Sequence, residues 1–129
     1  LGIGVIPFSP LQQGILSGKY SRGKAGTRAE DKNSSINARA LAPKVLAGVD
    51  ALGKIAKARK QTMSQLALAW VLRRSEVTSA LIGVRTLEQL KDCLGALDNL
   101  SFTQKELDAI DAAVEGALLP SRPATTMAD

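Results

Sequence analysis

The sequence predicts an α/β fold with parallel strand pairing, and three observations predict it. Two short apolar runs, Ile3-Gly4-Val5-Ile6 and Val77-Thr78-Ser79-Ala80-Leu81-Ile82-Gly83, carry β-branched residues that suit a buried, pleated surface. Segments with helical periodicity lie between these runs and after the second. The order is therefore strand, long loop, helix, helix, strand, helix, helix, an alternation that argues parallel pairing. Two strands alone leave open edges, and parallel strands are normally covered on both faces. The chain is expected to need further structure beside it.

Composition bounds the function. The 129 residues are enough for one domain with a real core. Apolar residues make up 45% and charged residues 22%, as in ordinary globular proteins. No apolar run reaches the ~18 residues of a membrane span. The N-terminus has no charged region followed by an apolar one, so it is not a signal peptide. The sequence starts at Leu1 and enters a strand almost at once, which reads as a piece of a longer protein. Cys93 is the only cysteine, so no internal disulfide forms, which fits a reducing, cytoplasmic setting. With no histidine and one cysteine, zinc is not expected, and the His-dependent nucleophilic triads are excluded within the chain. Lys and Arg number 17 against 12 acids, a net charge of +5. These cations are scattered and aromatics are only 3%, so a base-stacking platform for nucleic acid lacks its material. The basic balance reads as a phosphate-bearing ligand plus solvated helix faces.

Taken in order, the first strand is stopped by Pro7 and by Ser9-Pro10, because proline has no N–H for a ladder and disfavours helix before it. A loop follows with Gly14 and Gly18, ending in Lys19-Tyr20. Glycine allows close backbone approach, and exposed N–H groups beside a lysine suit a phosphate. The same residues also make ordinary connecting turns. Residues 21–33 are polar, contain glycine and show no period: a long surface loop. Pro43 suits a first helical position. Val45, Val49, Leu52 and Ala56 then form one apolar stripe, and Lys54, Lys57, Arg59 and Lys60 gather at the helix end, where the dipole favours cations.

Thr62-Met63-Ser64-Gln65 is a capping box, and the helix it opens, Gln65 to Leu72, is apolar nearly all round. Trp70 on it reads as core, and Arg73-Arg74 close it. After the second strand come Gly83, Arg85 and a second box, Thr86-Leu87-Glu88-Gln89, whose helix carries Leu87, Leu90, Leu94 and Leu97. Strand, glycine, arginine and helix N-terminus in succession make a natural anion site. On the residues alone, Gln89 serves either that site or its own box, and Arg85 either a ligand or solvent. Thr103-Gln104-Lys105-Glu106 is a third box, with Leu107, Ile110 and Val114 on the buried face of its helix. The end of the chain, 115–129, reads as a tail with proline and small polar residues.

Phe8-Ser9-Pro10-Leu11, Gly14, Leu16 and Gly18-Lys19-Tyr20 together resemble the strand-seven segment of the aldo-keto reductases. The nearest branch holds the potassium-channel β subunits and bacterial glyceraldehyde-3-phosphate reductases. Leu81-Ile82-Gly83 with Glu88-Gln89-Leu90 resembles the family's strand-eight segment, and Ala69-Trp70-Val71-Leu72-Arg73 the helix before it. The resemblance runs from Gly2 to about Val114. It implies the C-terminal portion of a TIM (β/α)8 barrel, strands seven and eight with their helices, over residues 1–129. A frequent phosphate site in that fold lies at the loops after these two strands.

The resemblance further implies NADPH as cofactor. Ser9, Pro10, Leu11, Gln13 and Gly14 would lie along its pyrophosphate, and Lys19 would pair with a phosphate. Arg28 would fold over the cofactor, although the loop here is one residue shorter than in relatives. Gly83, Arg85, Gln89 and Asp92 would hold the adenosine 2′-phosphate and adenine. Cys93 departs from the family, where an asparagine often stands. The family's catalytic Asp, Tyr, Lys and His come from earlier strands, so none is expected in this chain. The parent protein would be an NADPH-dependent reductase of aldehydes or ketones acting on a small-molecule carbonyl substrate. Its partner would be the missing N-terminal half or another copy, with neither nucleic acid nor membrane involved. The alternatives are a cofactor-sensing channel subunit and a truncated, non-catalytic NADP-binding or self-associating module.

Overall fold

The computed structural model describes residues 2–18, 42–115 and 117. The expectations placed on Lys19, Arg28, the 21–33 loop and the tail beyond Glu115 lie outside the described residues. Four helices carry the fold: α1 (Pro43–Ala58), α2 (Met63–Leu72), α3 (Leu87–Leu94) and α4 (Gln104–Glu115). Two 3-10 turns accompany them, Gln12–Ser17 and Gly95–Asp98.

Helix α2 is the hub, as its all-round apolar surface requires. It packs against α1, α3 and both 3-10 turns, while α1 also packs on α4. Three apolar clusters result. Ile15 and Val49 meet with Leu16, Val45, Leu46 and Met63 around them. Ala56, Leu66 and Ile110 join α1, α2 and α4, with Trp70 and Phe102 packed alongside. Leu68, Cys93 and Ala96 join α2 to α3, with Leu11, Ala80 and Ile82 against them.

The capping boxes define the helix starts. At α2 both halves form: Thr62 Oγ1 accepts from the Gln65 N–H at 3.2 Å, and Gln65 Oε1 accepts from the Thr62 N–H at 3.0 Å. At α4 the Glu106 N–H donates to Thr103 Oγ1 at 3.2 Å and the Thr103 N–H donates to Glu106 Oε2 at 2.8 Å. Pro43 stands at the start of α1 as expected. Arg59, just past the end of α1, ties three segments together. It pairs with Glu106 at 2.9 Å, lies 3.9 Å over the Phe102 ring, and donates to Gln61 Oε1 and the Asn99 carbonyl. The cations read as structural thus include one that does structural work.

The two expected strands are not formed as strands. Val5 pairs with Val77 and Phe8 with Leu81, both parallel, as isolated bridges. The N–H of Val5 donates to the Glu76 carbonyl at 2.8 Å, that of Thr78 to Val5 at 2.9 Å and that of Leu81 to Pro7 at 3.0 Å. The parallel direction agrees with the sequence; the ladder does not develop. Pro7 has no N–H to give, and among the described residues neither segment has a second neighbour or a covered outer face. Ile3, Ile6, Phe8 and Leu81 stay exposed. The α3 stripe departs as well. Leu87, Leu94 and Leu97 face outward, and the buried side is made by Cys93 and Ala96. Helix α4 runs through Glu115, where the tail was expected to begin.

Candidate functional site

Because the two bridged segments run parallel, their C-terminal ends lie on the same side. Phe8 sits opposite Leu81, so the turn that starts at Ser9 and the Gly83–Arg85 connection leave together. Leu11 is seated against Leu68, Cys93 and Ala96, which holds the first turn on the α2–α3 pair.

The first turn reverses the backbone tightly. Ser9, Gln12 and Gln13 have φ of 52°, 47° and 56°, and Gly14 has 99°. Few side-chain-bearing residues occupy that region. Ser9 and Gln13 are exposed, while Pro10, Leu11 and Gly14 are half-buried. The carbonyl of Ser9 accepts from the Gln12 N–H at 2.9 Å, and that of Leu11 from Gly14 at 2.9 Å and Leu16 at 3.2 Å. The Ser17 hydroxyl donates to the Gly14 carbonyl at 2.6 Å. Buried Ile15 anchors the turn in the core. The sequence showed a loop here and not its 3-10 character, since the turn is held by backbone bonds without a periodic apolar pattern.

The second connection is open. Gly83, Arg85 and Thr86 are exposed, and empty space stands where a Gly83 side chain would begin. Among the described residues the Arg85 guanidinium has no hydrogen-bond or ion-pair partner. Gln89 is committed: its Oε1 accepts from the Arg85 N–H at 2.9 Å. The second capping box is therefore only half made. Thr86 Oγ1 accepts from the Gln89 N–H at 3.2 Å, but the glutamine reaches back to Arg85 instead of Thr86. The first turn of α3 follows directly on Arg85, with Glu88 as the acid of that turn.

Asp92 is drawn away from this opening. Its Oδ2 accepts from the Thr62 hydroxyl at 3.1 Å, and its Oδ1 from Gln65 Nε2 at 3.2 Å. Cys93 is buried, and that burial, helped by the neighbouring Asp92 charge, pushes its thiol pKa up. The structure thus brings Ser9, Pro10, Leu11, Gln13 and Gly14 to the same end as Gly83, Arg85 and Gln89. It turns Asp92 toward α2. The residues that local reasoning did not single out for the site are Thr62 and Gln65, whose only sequence signal is their capping box. Among the described residues no group of three or more His, Cys, Asp or Glu stands together to hold a metal. No helix among them is long and apolar enough to cross a membrane.

The sequence has relatives among known proteins. A family-wide sequence model described as the aldo/keto reductase family matches residues 1–115. The chain belongs to that family. It is 41% identical over 116 residues to the L-glyceraldehyde 3-phosphate reductase of Escherichia coli K12, covering 85% of this chain and 33% of that protein. It is 31% identical over 126 residues to a probable voltage-gated potassium channel subunit beta of Arabidopsis thaliana, covering 95% of this chain and 38% of the other. It is 37% identical over 115 residues to the chloroplastic pyridoxal reductase of Arabidopsis thaliana, covering 89% and 30%. The branch named from the sequence is the one these relatives occupy. The chain spans about a third of the length of the curated relatives it matches. Membership implies a TIM barrel as the family's fold.

Proposed function

We propose that this chain supplies the phosphate-binding part of the cofactor site in an NADPH-dependent reductase of aldehydes or ketones. One observation carries the reading: the parallel bridges bring a tight left-handed turn and the N-terminus of α3, with an Arg85 side chain that is uncommitted among the described residues, to the same end. On this reading the chain is the C-terminal portion of the barrel, with the bridged segments as strands seven and eight. The residues present fit the cofactor. Gly83 leaves open space, the α3 N-terminus favours an anion, and Arg85 offers a planar fork to a 2′-phosphate. Gln89 holds the Arg85 backbone, and Ser9, Pro10, Leu11, Gln13 and Gly14 form the pyrophosphate turn, with Lys19 following. Arg28 would close over it.

NADPH, when bound, supplies the hydride. The chain's own residues bind and orient. Arg85 neutralises charge, the α3 N-terminus contributes its positive dipole end, and the apolar seat of Leu11 fixes the turn. With no histidine in the chain, the acid–base residues of the family come from the rest of the protein, which also shapes the pocket for a small carbonyl substrate. The protein works in the cytoplasm. The test is NADPH-dependent reduction of short aldehydes by the natural polypeptide in full and by these 129 residues alone. Turnover by the first and none by the second is the expected result, and turnover by the segment alone contradicts the division of labour.

A second reading, a non-catalytic module that associates with copies of itself, draws on the apolar residues left exposed on the bridged segments and on α3. Loss of turnover together with a stable oligomer of the natural polypeptide would favour it.

A further inference from the structure

Gln65 lies far from the proposed phosphate opening in sequence, and its side chain is fully engaged with Thr62 and Asp92. Its Oε1 accepts from the Thr62 N–H. Its Nε2 donates to the Asp92 carbonyl at 3.0 Å and to Asp92 Oδ1 at 3.2 Å. The Thr62 hydroxyl completes the carboxylate by donating to Oδ2. Thus one glutamine and one threonine, both at the start of α2, hold one aspartate on α3 at three points. The approach is close enough to constrain what faces it. A side chain begun at Gly95 would stand 2.5 Å from Gln65 Nε2 and 3.3 Å from its Cδ. The contact therefore needs glycine at that position.

Asp92 is three residues after Gln89, so the two share a face one turn apart on α3. Gln89 in turn holds the Arg85 N–H, which fixes the start of the connection carrying the free guanidinium. Two sets of bonds, one from the α2 N-terminus to Asp92 and one from Gln89 to Arg85, are joined by one turn of the α3 backbone. Helix α3 is short and much of its apolar stripe is exposed, so its apolar packing is limited to Cys93, Ala96 and their neighbours. The polar clamp grips the last turn of this short helix at Asp92, and through the rigid helix it sets the rotation and height of the whole of α3.

We infer that Gln65, with Thr62 and Asp92, is a positioning residue that sets where Arg85 meets the 2′-phosphate, and so sets the preference for NADPH over NADH. This rests on the cofactor reading above. Asp92 is the point at which α2 grips α3. Misplacing Arg85 costs the bond to the 2′-phosphate, which NADH lacks. Loosening the clamp therefore weakens NADPH selectively, where a general loss of stability would weaken both dinucleotides alike.

The experiment titrates NADPH and NADH, by the fluorescence of the reduced nicotinamide, into the natural polypeptide and into Gln65→Ala, Asp92→Asn and the double variant. Thermal unfolding of each is recorded in parallel. Close, coupled groups contribute about a factor of ten. The expected result is an NADPH-to-NADH affinity ratio lowered on the order of tenfold in Gln65→Ala, with the double variant no worse than the sum of the singles predicts. Where Gln65→Ala does not fold, Asp92→Asn carries the same comparison. An unchanged ratio, or equal weakening of both dinucleotides with only a lower unfolding temperature, overturns the inference and leaves the cofactor reading standing. No binding of either dinucleotide by the unsubstituted protein overturns both.

Discussion

Gly14 holds φ at 99°, with only the Ser17 hydroxyl oxygen, 3.7 Å from where a side chain would begin, nearby. Strain there is conformational, since the space itself is free. Gly14→Ala is expected to lower unfolding stability by about 1–2 kcal/mol in urea titration, the cost of a left-handed residue with a side chain. On α4, Glu106 is held below the usual carboxylate range. The main cause is the Thr103 backbone N–H; burial opposes it, and bonds from Arg59 and the Thr103 hydroxyl, with the Arg59 charge, add to it. A carboxyl depressed on folding gives stability that is present above its unfolded value of about 4.3 and lost as pH falls through its folded value. Glu106→Gln should therefore cost about 1 kcal/mol at neutral pH, a modest figure because the group is partly exposed. The two unfolding curves should converge in acid. The Thr103–Glu106 bonds were legible because the two residues stand three apart in a capping box; the Arg59 bond to Glu106 was not. The grip of Gln65 on Asp92 was not, since 27 residues separate them and no spacing encodes it.

At the scale of elements, the sequence carried the helices and lost the strands. A stripe such as Val45, Val49, Leu52 and Ala56 specifies a helix whatever stands beside it, because its hydrogen bonds are internal. A strand depends on neighbours for every bond, and among the described residues each segment finds one. Helix α3 shows the limit of periodicity: Leu87, Leu94 and Leu97 mark an apolar face, and the face that packs on α2 is the other one, with Cys93 and Ala96. That packing predicts the chemistry of the lone thiol. Cys93 is buried with a raised pKa, so a thiol reagent should modify it slowly in the native protein and rapidly in urea. Fast native modification would mean that the α2–α3 contact opens readily.

For the whole molecule, the exposed apolar residues are the main unbalanced quantity. Phe8 is 78% exposed, Ile3 73% and Leu87 60%, on the bridged segments and on α3. Water-exposed apolar surface of this kind marks a place where other protein packs. The 129 residues expressed alone should therefore associate, with light scattering giving a mass well above 13.6 kDa. A stable monomer of that mass contradicts the reading. The family was readable from two ordered motifs, whereas the substrate was not, because in a TIM barrel the pocket draws on the loops of many strands.

On the proposed reading, this chain grips the phosphates of NADPH with Arg85 at its opening. The most direct test is the affinity of the natural polypeptide for NADPH and for NADH, with and without Arg85→Ala, by calorimetric titration. NADPH is expected to bind more tightly, the substitution to weaken it by roughly tenfold or more, the worth of a charge-assisted bond, and NADH to change little. Equal affinity for both dinucleotides, untouched by Arg85→Ala, would contradict it.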